Sequence, residues 1–117
     1  MSTSRLYYNP RCSKCRTALD LLKARGVEPD VVEYLEAPPT AAGLREILTA
    51  LGVGPRSLLR TDEPEYSSLA LDRDGLGDDE LIDAMSANPR LIQRPIFVHG
   101  ERAVIGRPAE RVLDLLD

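Results

Sequence analysis

Hydrophobic and polar positions in the chain change period several times, and each change predicts an element. Arg5 to Tyr8 is a short β-rich run, and Asn9-Pro10-Arg11 turns the chain after it. From Ser13 to Arg25 the apolar set Cys15, Ala18, Leu19 and Leu22 falls at i, i+3, i+4 and i+7, one face of a helix. Gly26 follows as its C′ residue. Val31 to Leu35 is β-rich again, and Pro38-Pro39 breaks the chain. Thr40 is placed to cap a helix carrying Leu44, Ile47, Leu48 and Leu51, closed by Gly52. Pro55 opens a short helical turn ending near Arg60. Residues 61–77 are loop-rich, with a short helix after Pro64. Asp78 is placed to cap a further helix through Met85, and Asn88-Pro89 stops it.

The remainder reads as a hairpin and a helix. Ile96-Phe97-Val98 and Arg102 to Ile105 are strands joined through His99-Gly100-Glu101. Gly106-Arg107-Pro108 then leads into a helix with Ala109, Val112, Leu113 and Leu116 on one face. The order is β-α-β, a helical stretch, then β-β-α. It predicts an α/β, thioredoxin-like fold: a small mixed four-stranded sheet with flanking helices and a helical insertion, about 37–90, between the second and third strands. With 117 residues and no repeat or linker, one domain over 1–117 is expected. A chain that is 43% hydrophobic and 29% charged has the balance of a soluble domain. No apolar run approaches the ~18 residues of a membrane span. The first ten residues hold no apolar signal region, so a cytoplasmic protein is expected.

A net charge of -4 argues against general nucleic-acid binding, because a phosphate backbone needs a basic face. Within that charge are thirteen Arg but only two Lys, Lys14 and Lys23. Codon bias in a GC-rich genome accounts for most of that count. Arginine is nonetheless the residue that makes bidentate contacts to tetrahedral oxyanions. Arg25, Arg45, Arg73, Arg102 and Arg111 fall on solvated positions of the predicted elements. Arg60, Arg94 and Arg107 instead end an element or precede a proline, which makes them candidates for an anion site, with plain surface charge as the alternative.

The chain has two cysteines, Cys12 and Cys15, and one histidine, His99. These cannot build a disulfide framework or the four ligands of a zinc site, so no metal is expected. Arg16 stands where a c-type haem motif needs His. It also follows Cys12 too closely for the C-x5-R phosphate loop of tyrosine phosphatases. Redox or catalytic thiol chemistry remains. Cys12 lies in the turn between the first strand and the first helix, where unpaired N–H groups and the helix dipole stabilise a thiolate. Its pKa is expected below the free value of ~8.5, with Arg11, Lys14 and Arg16 pushing the same way. The alternative is an inert buried cysteine. Two roles are open for Cys15: resolving a disulfide on Cys12, or filling the apolar helix face as a small hydrophobe. Thioredoxin-like folds place a cis proline beside the reactive cysteine, and a cis Pro95 would hold Arg94 next to Cys12.

Four segments carry a family resemblance. Tyr8-Asn9-Pro10-Arg11-Cys12-Ser13-Lys14-Cys15-Arg16, Leu58-Leu59-Arg60, Ile92-Gln93-Arg94-Pro95-Ile96 and Gly106-Arg107-Pro108 resemble, in order and spacing, the glutaredoxin-coupled arsenate reductases. The resemblance runs over essentially the whole chain. It implies that Cys12 attacks arsenic and that Arg60, Arg94 and Arg107 hold the oxyanion, with Asn9, Arg16 and Pro95 in support. It implies glutathione as co-substrate, glutaredoxin or thioredoxin as partner, and no bound cofactor. Two positions depart from the pattern. Cys15 stands where reductases of this type often have Ser, which permits a Cys12–Cys15 disulfide and a thioredoxin-type reductant. Tyr8 stands where some have His, so a histidine's help in lowering the thiol pKa is absent. Two alternatives share the fold. One is a general glutathione- or thioredoxin-dependent thiol reductase. The other is a redox-switched transcription regulator of the Spx type, which Cys12-Ser-Lys-Cys15 and Arg94-Pro95 also resemble. Arg60 and Gly106-Arg107-Pro108 match the reductases instead.

Overall fold

Strand β1, Ser4–Tyr8, buries Leu6 and Tyr7 at the centre of a four-stranded sheet. This computed structural model describes residues 4–116. The β1 strand runs parallel to β2, Asp30–Glu33, in a register from Arg5↔Asp30 to Tyr8↔Glu33. On its other side it runs antiparallel to β3, Ile96–His99, from Ser4↔His99 to Tyr7↔Ile96. The sheet is completed by β4, Arg102–Ile105, antiparallel to β3, giving the order β2-β1-β3-β4. This is the mixed, thioredoxin-like sheet that the element order predicted. The second strand is displaced from its expected span of Val31 to Leu35. It starts with the partner of Arg5, and it ends where the N–H groups of Glu36 and Ala37 both turn back onto the Glu33 carbonyl at 3.0 Å.

Helix α1, Ser13–Ala24, buries Cys15, Ala18 and Leu22. Gly26, at φ +77°, closes it: its N–H donates to Lys23 O and that of Val27 to Leu22 O, satisfying carbonyls the helix end leaves free. The last element is not the α-helix its apolar spacing predicted. Ala109–Leu115 is a 3₁₀ helix, whose three-residue turn buries Ala109, Val112 and Leu115 and leaves Leu113 and Leu116 only partly covered. Those three pack with Leu6 and Phe97 of the sheet and Ala18 and Leu22 of α1 in one apolar cluster.

The chain divides into two compact units, Met1–Ala37 with Arg94–Asp117, and Pro38–Gln93. The second holds α2 (Ala41–Leu51), α3 (Pro55–Leu58), α4 (Pro64–Ser68), α5 (Asp78–Ala87) and a 3₁₀ turn, Pro89–Leu91. The Thr40 hydroxyl accepts from the Gly43 N–H at 3.1 Å and so caps α2, and Gly52, at φ +72°, ends that helix as expected. The start of α5 differs by one residue. Gly77 occupies the cap and Asp78 is the first helical residue, so Asp78, Asp79 and Glu80 favour that end through the helix dipole. No helix among the described residues is long and apolar enough to cross a membrane.

One glycine fixes how the last strand meets the chain ahead of β3. The Gly106 N–H donates to the Pro95 carbonyl at 2.8 Å. A Cβ on Gly106 would sit 2.8 Å from Pro95 Cγ and 3.1 Å from Val112 Cγ1. Gly106→Ala is therefore expected to destabilise the fold by about 1–3 kcal/mol, the usual range for forced overpacking. Urea unfolding measures this, and a change within ~0.5 kcal/mol would mean the segment relaxes freely.

Candidate active site

The loop from β1 to α1 is a short hydrogen-bonded hook. Asn9 makes it: its side-chain Oδ1 accepts from the Arg11 N–H at 3.0 Å, and its carbonyl accepts from the Cys12 N–H at 2.9 Å. The Arg16 guanidinium reaches back from α1 to the Pro10 carbonyl at 3.1 Å and braces the same hook. Cys12 thereby becomes the N-cap residue of α1, in extended conformation, with its sulfur half-buried at the helix N-terminus.

Several influences act on that sulfur. Burial raises the thiol pKa, but the effects that lower it win. These are the Cys15 N–H and thiol, the Lys14 N–H, and the positive charge of Arg107. Cys12 is therefore held below its ordinary value by helix-start N–H groups, as the sequence predicted, but with a different cation. The expected cations were Arg11, Lys14 and Arg16. Lys14 acts instead through its backbone, Arg16 is occupied with Pro10, and the effective cation is Arg107. A helix start presents its N–H groups inward, whereas long side chains there extend into water.

Cys15 carries the opposite bias. It is fully buried. Burial pushes its thiol up to about 12, opposed by the Asn9 N–H and Arg107 and reinforced by the sulfur and charge of Cys12. The pair thus shares one proton unevenly: Cys15 keeps it and donates toward Cys12.

The two Arg-Pro segments meet each other. Both peptide bonds, Arg94-Pro95 and Arg107-Pro108, are cis. Arg107 Nε donates to the Arg94 carbonyl at 2.7 Å. Arg94 Nε is buried and has no hydrogen-bond partner in the structure. Cys12, Cys15, Asn9, Pro95, Arg94 and Arg107 belong to one unit, in which Arg107 acts on both sulfurs by its charge and bonds the Arg94 carbonyl. Arg60 belongs to the helical unit. Its side chain is 12% exposed and pairs with Asp62 and Glu63, each at 3.0 Å, and Glu63 also binds Arg90 at 3.2 Å. The carboxylates were missed in the sequence, although the run Arg60-Thr-Asp-Glu63 places them two and three residues on.

Comparison with known proteins fits this arrangement. The ArsC family model matches residues 7–115, from β1 through the final 3₁₀ helix. The chain belongs to the ArsC family. It is 50% identical to a relative in Escherichia coli (strain K12), the uncharacterized protein YfgD, over 96% of this chain and 95% of that one. It is 40% identical to the arsenate reductase of the same strain, over 99% of this chain and 82% of that one. Among solved structures, the arsenate reductase from Vibrio cholerae superposes with a TM-score of 0.95 at 40% identity, covering 99% of this chain and all (100%) of that one.

For this ArsC-family chain the two thiols should titrate apart. Iodoacetamide at neutral pH is expected to modify about one thiol per native chain, at Cys12, with a midpoint below that of free cysteine. The second thiol should react only on unfolding. Two equal thiols at pH 7, counted by mass, would contradict the assignment.

Proposed function

We propose that the protein reduces arsenate to arsenite with the Cys12 thiolate as nucleophile and glutathione, recycled by glutaredoxin, as electron source. The observation that carries this reading is a sulfur placed as the N-cap of a helix, where N–H groups and Arg107 favour its thiolate, in a chain 40% identical to named arsenate reductases. Arsenate carries one to two negative charges near neutral pH and presents strong acceptor oxygens, as phosphate does. N–H groups at a helix start and arginine guanidinium groups suit such an anion. Arg94, whose Nε lacks a partner, and Arg107 are the arginines we assign to it from this unit.

The chemistry balances as follows. The Cys12 thiolate adds to As(V), and one arsenic-bound hydroxyl leaves with a proton as water. A glutathione thiolate then attacks Cys12 Sγ. The sulfur–arsenic bond breaks, its electron pair stays on arsenic, and arsenite departs. The mixed disulfide left on Cys12 is cleared by glutaredoxin. None of these steps calls for a metal or bound cofactor. A reducing compartment such as the cytoplasm suits a chemistry that needs free thiols.

Arg60 has a defined starting state under this proposal. It is already neutralised by Asp62 and Glu63, so use of its guanidinium for an oxyanion requires exchange of those carboxylates for substrate oxygens.

The test is arsenate-dependent NADPH consumption with glutathione, glutaredoxin and glutathione reductase, run beside a thioredoxin couple and a blank without arsenate. Cys12→Ser is expected to abolish turnover. Arg94→Ala should lower arsenate kcat/KM by about a hundredfold or more, the scale for losing one preorganised donor, while Cys12 still reacts with a neutral disulfide. Equal losses in both assays would make Arg94 structural. Arg60→Ala should also lose arsenate turnover, and wild-type rates from it would remove Arg60 from the oxyanion set. Absence of arsenate-dependent turnover in both couples, with Cys12 still reactive, would point to a general thiol reductase.

A further inference from the structure

The second thiol of the pair is unused in the scheme above. Cys12 and Cys15 occupy the N-cap and third positions of α1, the spacing at which side chains on a helix's first turn face each other. The Cys15 thiol favours the thiolate on Cys12, and Cys12 in turn favours the protonated form of Cys15. Cys15 is fully buried, so an external thiol cannot reach it, whereas Cys12 is half-buried and open to one. The place of Cys15 one turn from Cys12 aims it at whatever is bonded to that sulfur.

We propose, building on the arsenate reading, that Cys15 is the internal second thiol, attacking Cys12 Sγ in the arsenic adduct to form the Cys12–Cys15 disulfide and release arsenite. Cys15 gives up its proton to solvent or to the departing oxyanion. The Sγ–Sγ bond forms and the Sγ–As bond breaks. The electron pair of the broken bond reduces As(V) to As(III), and two thiols become one disulfide. The reductant then meets a disulfide, so the fitting donor class is a dithiol carrier of the thioredoxin or glutaredoxin kind, or two equivalents of glutathione.

The surroundings of Cys15 supply the timing. In the resting state two influences from Cys12, its negative charge and its demand for a proton, add to burial and keep Cys15 protonated. Bonding Cys12 to arsenic ends that demand for a proton, while the bound oxyanion brings negative charge of its own. The Asn9 N–H and Arg107, which favour the Cys15 thiolate, stay where they are. Adduct formation on one sulfur therefore frees the other thiol from its hydrogen bond to a thiolate, and before that step ionisation of both thiols together is suppressed.

Single turnover tests this on the full reduced chain, freed of all small thiols and mixed with arsenate. Wild type is expected to release about one arsenite per chain and to lose both thiols in a denaturing thiol count. Cys15→Ser should release none until glutathione is added. Arsenite release by Cys15→Ser without thiol, or a wild-type adduct that stalls without thiol but turns over with glutathione, would overturn the internal step and leave the arsenate reading standing. A second arm is independent of arsenate. With dithiodipyridine, wild type should free about two thiopyridones per chain and end as a disulfide, while Cys15→Ser frees about one and keeps the mixed disulfide. One equivalent from native wild type would overturn attack by Cys15 on a derivatised Cys12. Two equivalents, with no arsenite from wild type under any thiol, would keep the resolving step and refute the arsenate reading.

Discussion

A sulfur held against the N-terminus of one helix is the constraint on which this site rests. Taking a thiolate out of water is unfavourable, and burial does raise the Cys12 pKa. The first turn of α1 offsets that cost with N–H groups that have no partner within the helix. The rest of the loop serves that placement. Asn9 turns the chain twice with one side chain and one carbonyl, and Arg16 ties the hook to the helix it precedes. Without the hook Cys12 would be a surface cysteine following a strand. With it the sulfur meets the backbone end-on.

Much of this was legible in the sequence, because it depends on local pattern. The apolar positions of α1, the Thr40 cap, the closing glycines Gly26 and Gly52 and the strand–turn–strand from Ile96 all follow from rules spanning a few residues. The failures share a cause too. Ala109, Val112, Leu113 and Leu116 satisfy an α-helical face, yet the chain winds at three residues per turn and buries Leu115 in place of Leu113. Packing against Leu6, Phe97 and Leu22 decides that, and no local spacing reports it. The site shows the same division. C-x-x-C after a strand announced a reactive thiol. It could not show that Lys14 acts through its N–H, or that Arg107, nearly a hundred residues on, would be the cation acting on the sulfur.

The arginines illustrate two ways of keeping a guanidinium out of bulk water. Arg60 is sheltered and pays its desolvation with a carboxylate pair, one member of which is itself shared with Arg90. Such a group is electrically complete. Arg94 is the reverse case. A buried donor without a partner costs about 1–3 kcal/mol, and its Nε is in that condition. The one difference the sequence offers is Asp62 and Glu63 just after Arg60, against Pro95 and Ile96 after Arg94.

Arg107 spends one N–H on the carbonyl of Arg94, which fixes the plane of its guanidinium while the two terminal nitrogens stay outside that bond. A flexible cation would have to be reoriented each time charge built up beside it, and that reorganisation would fall inside the barrier. A guanidinium pinned at Nε has its dipole set when the protein folds. Lysine would keep the charge but would have a single nitrogen both to brace the neighbouring strand entry and to act on the Cys12 sulfur. Arginine at this position thus supplies a set orientation as well as a charge, and both are in place in the folded chain.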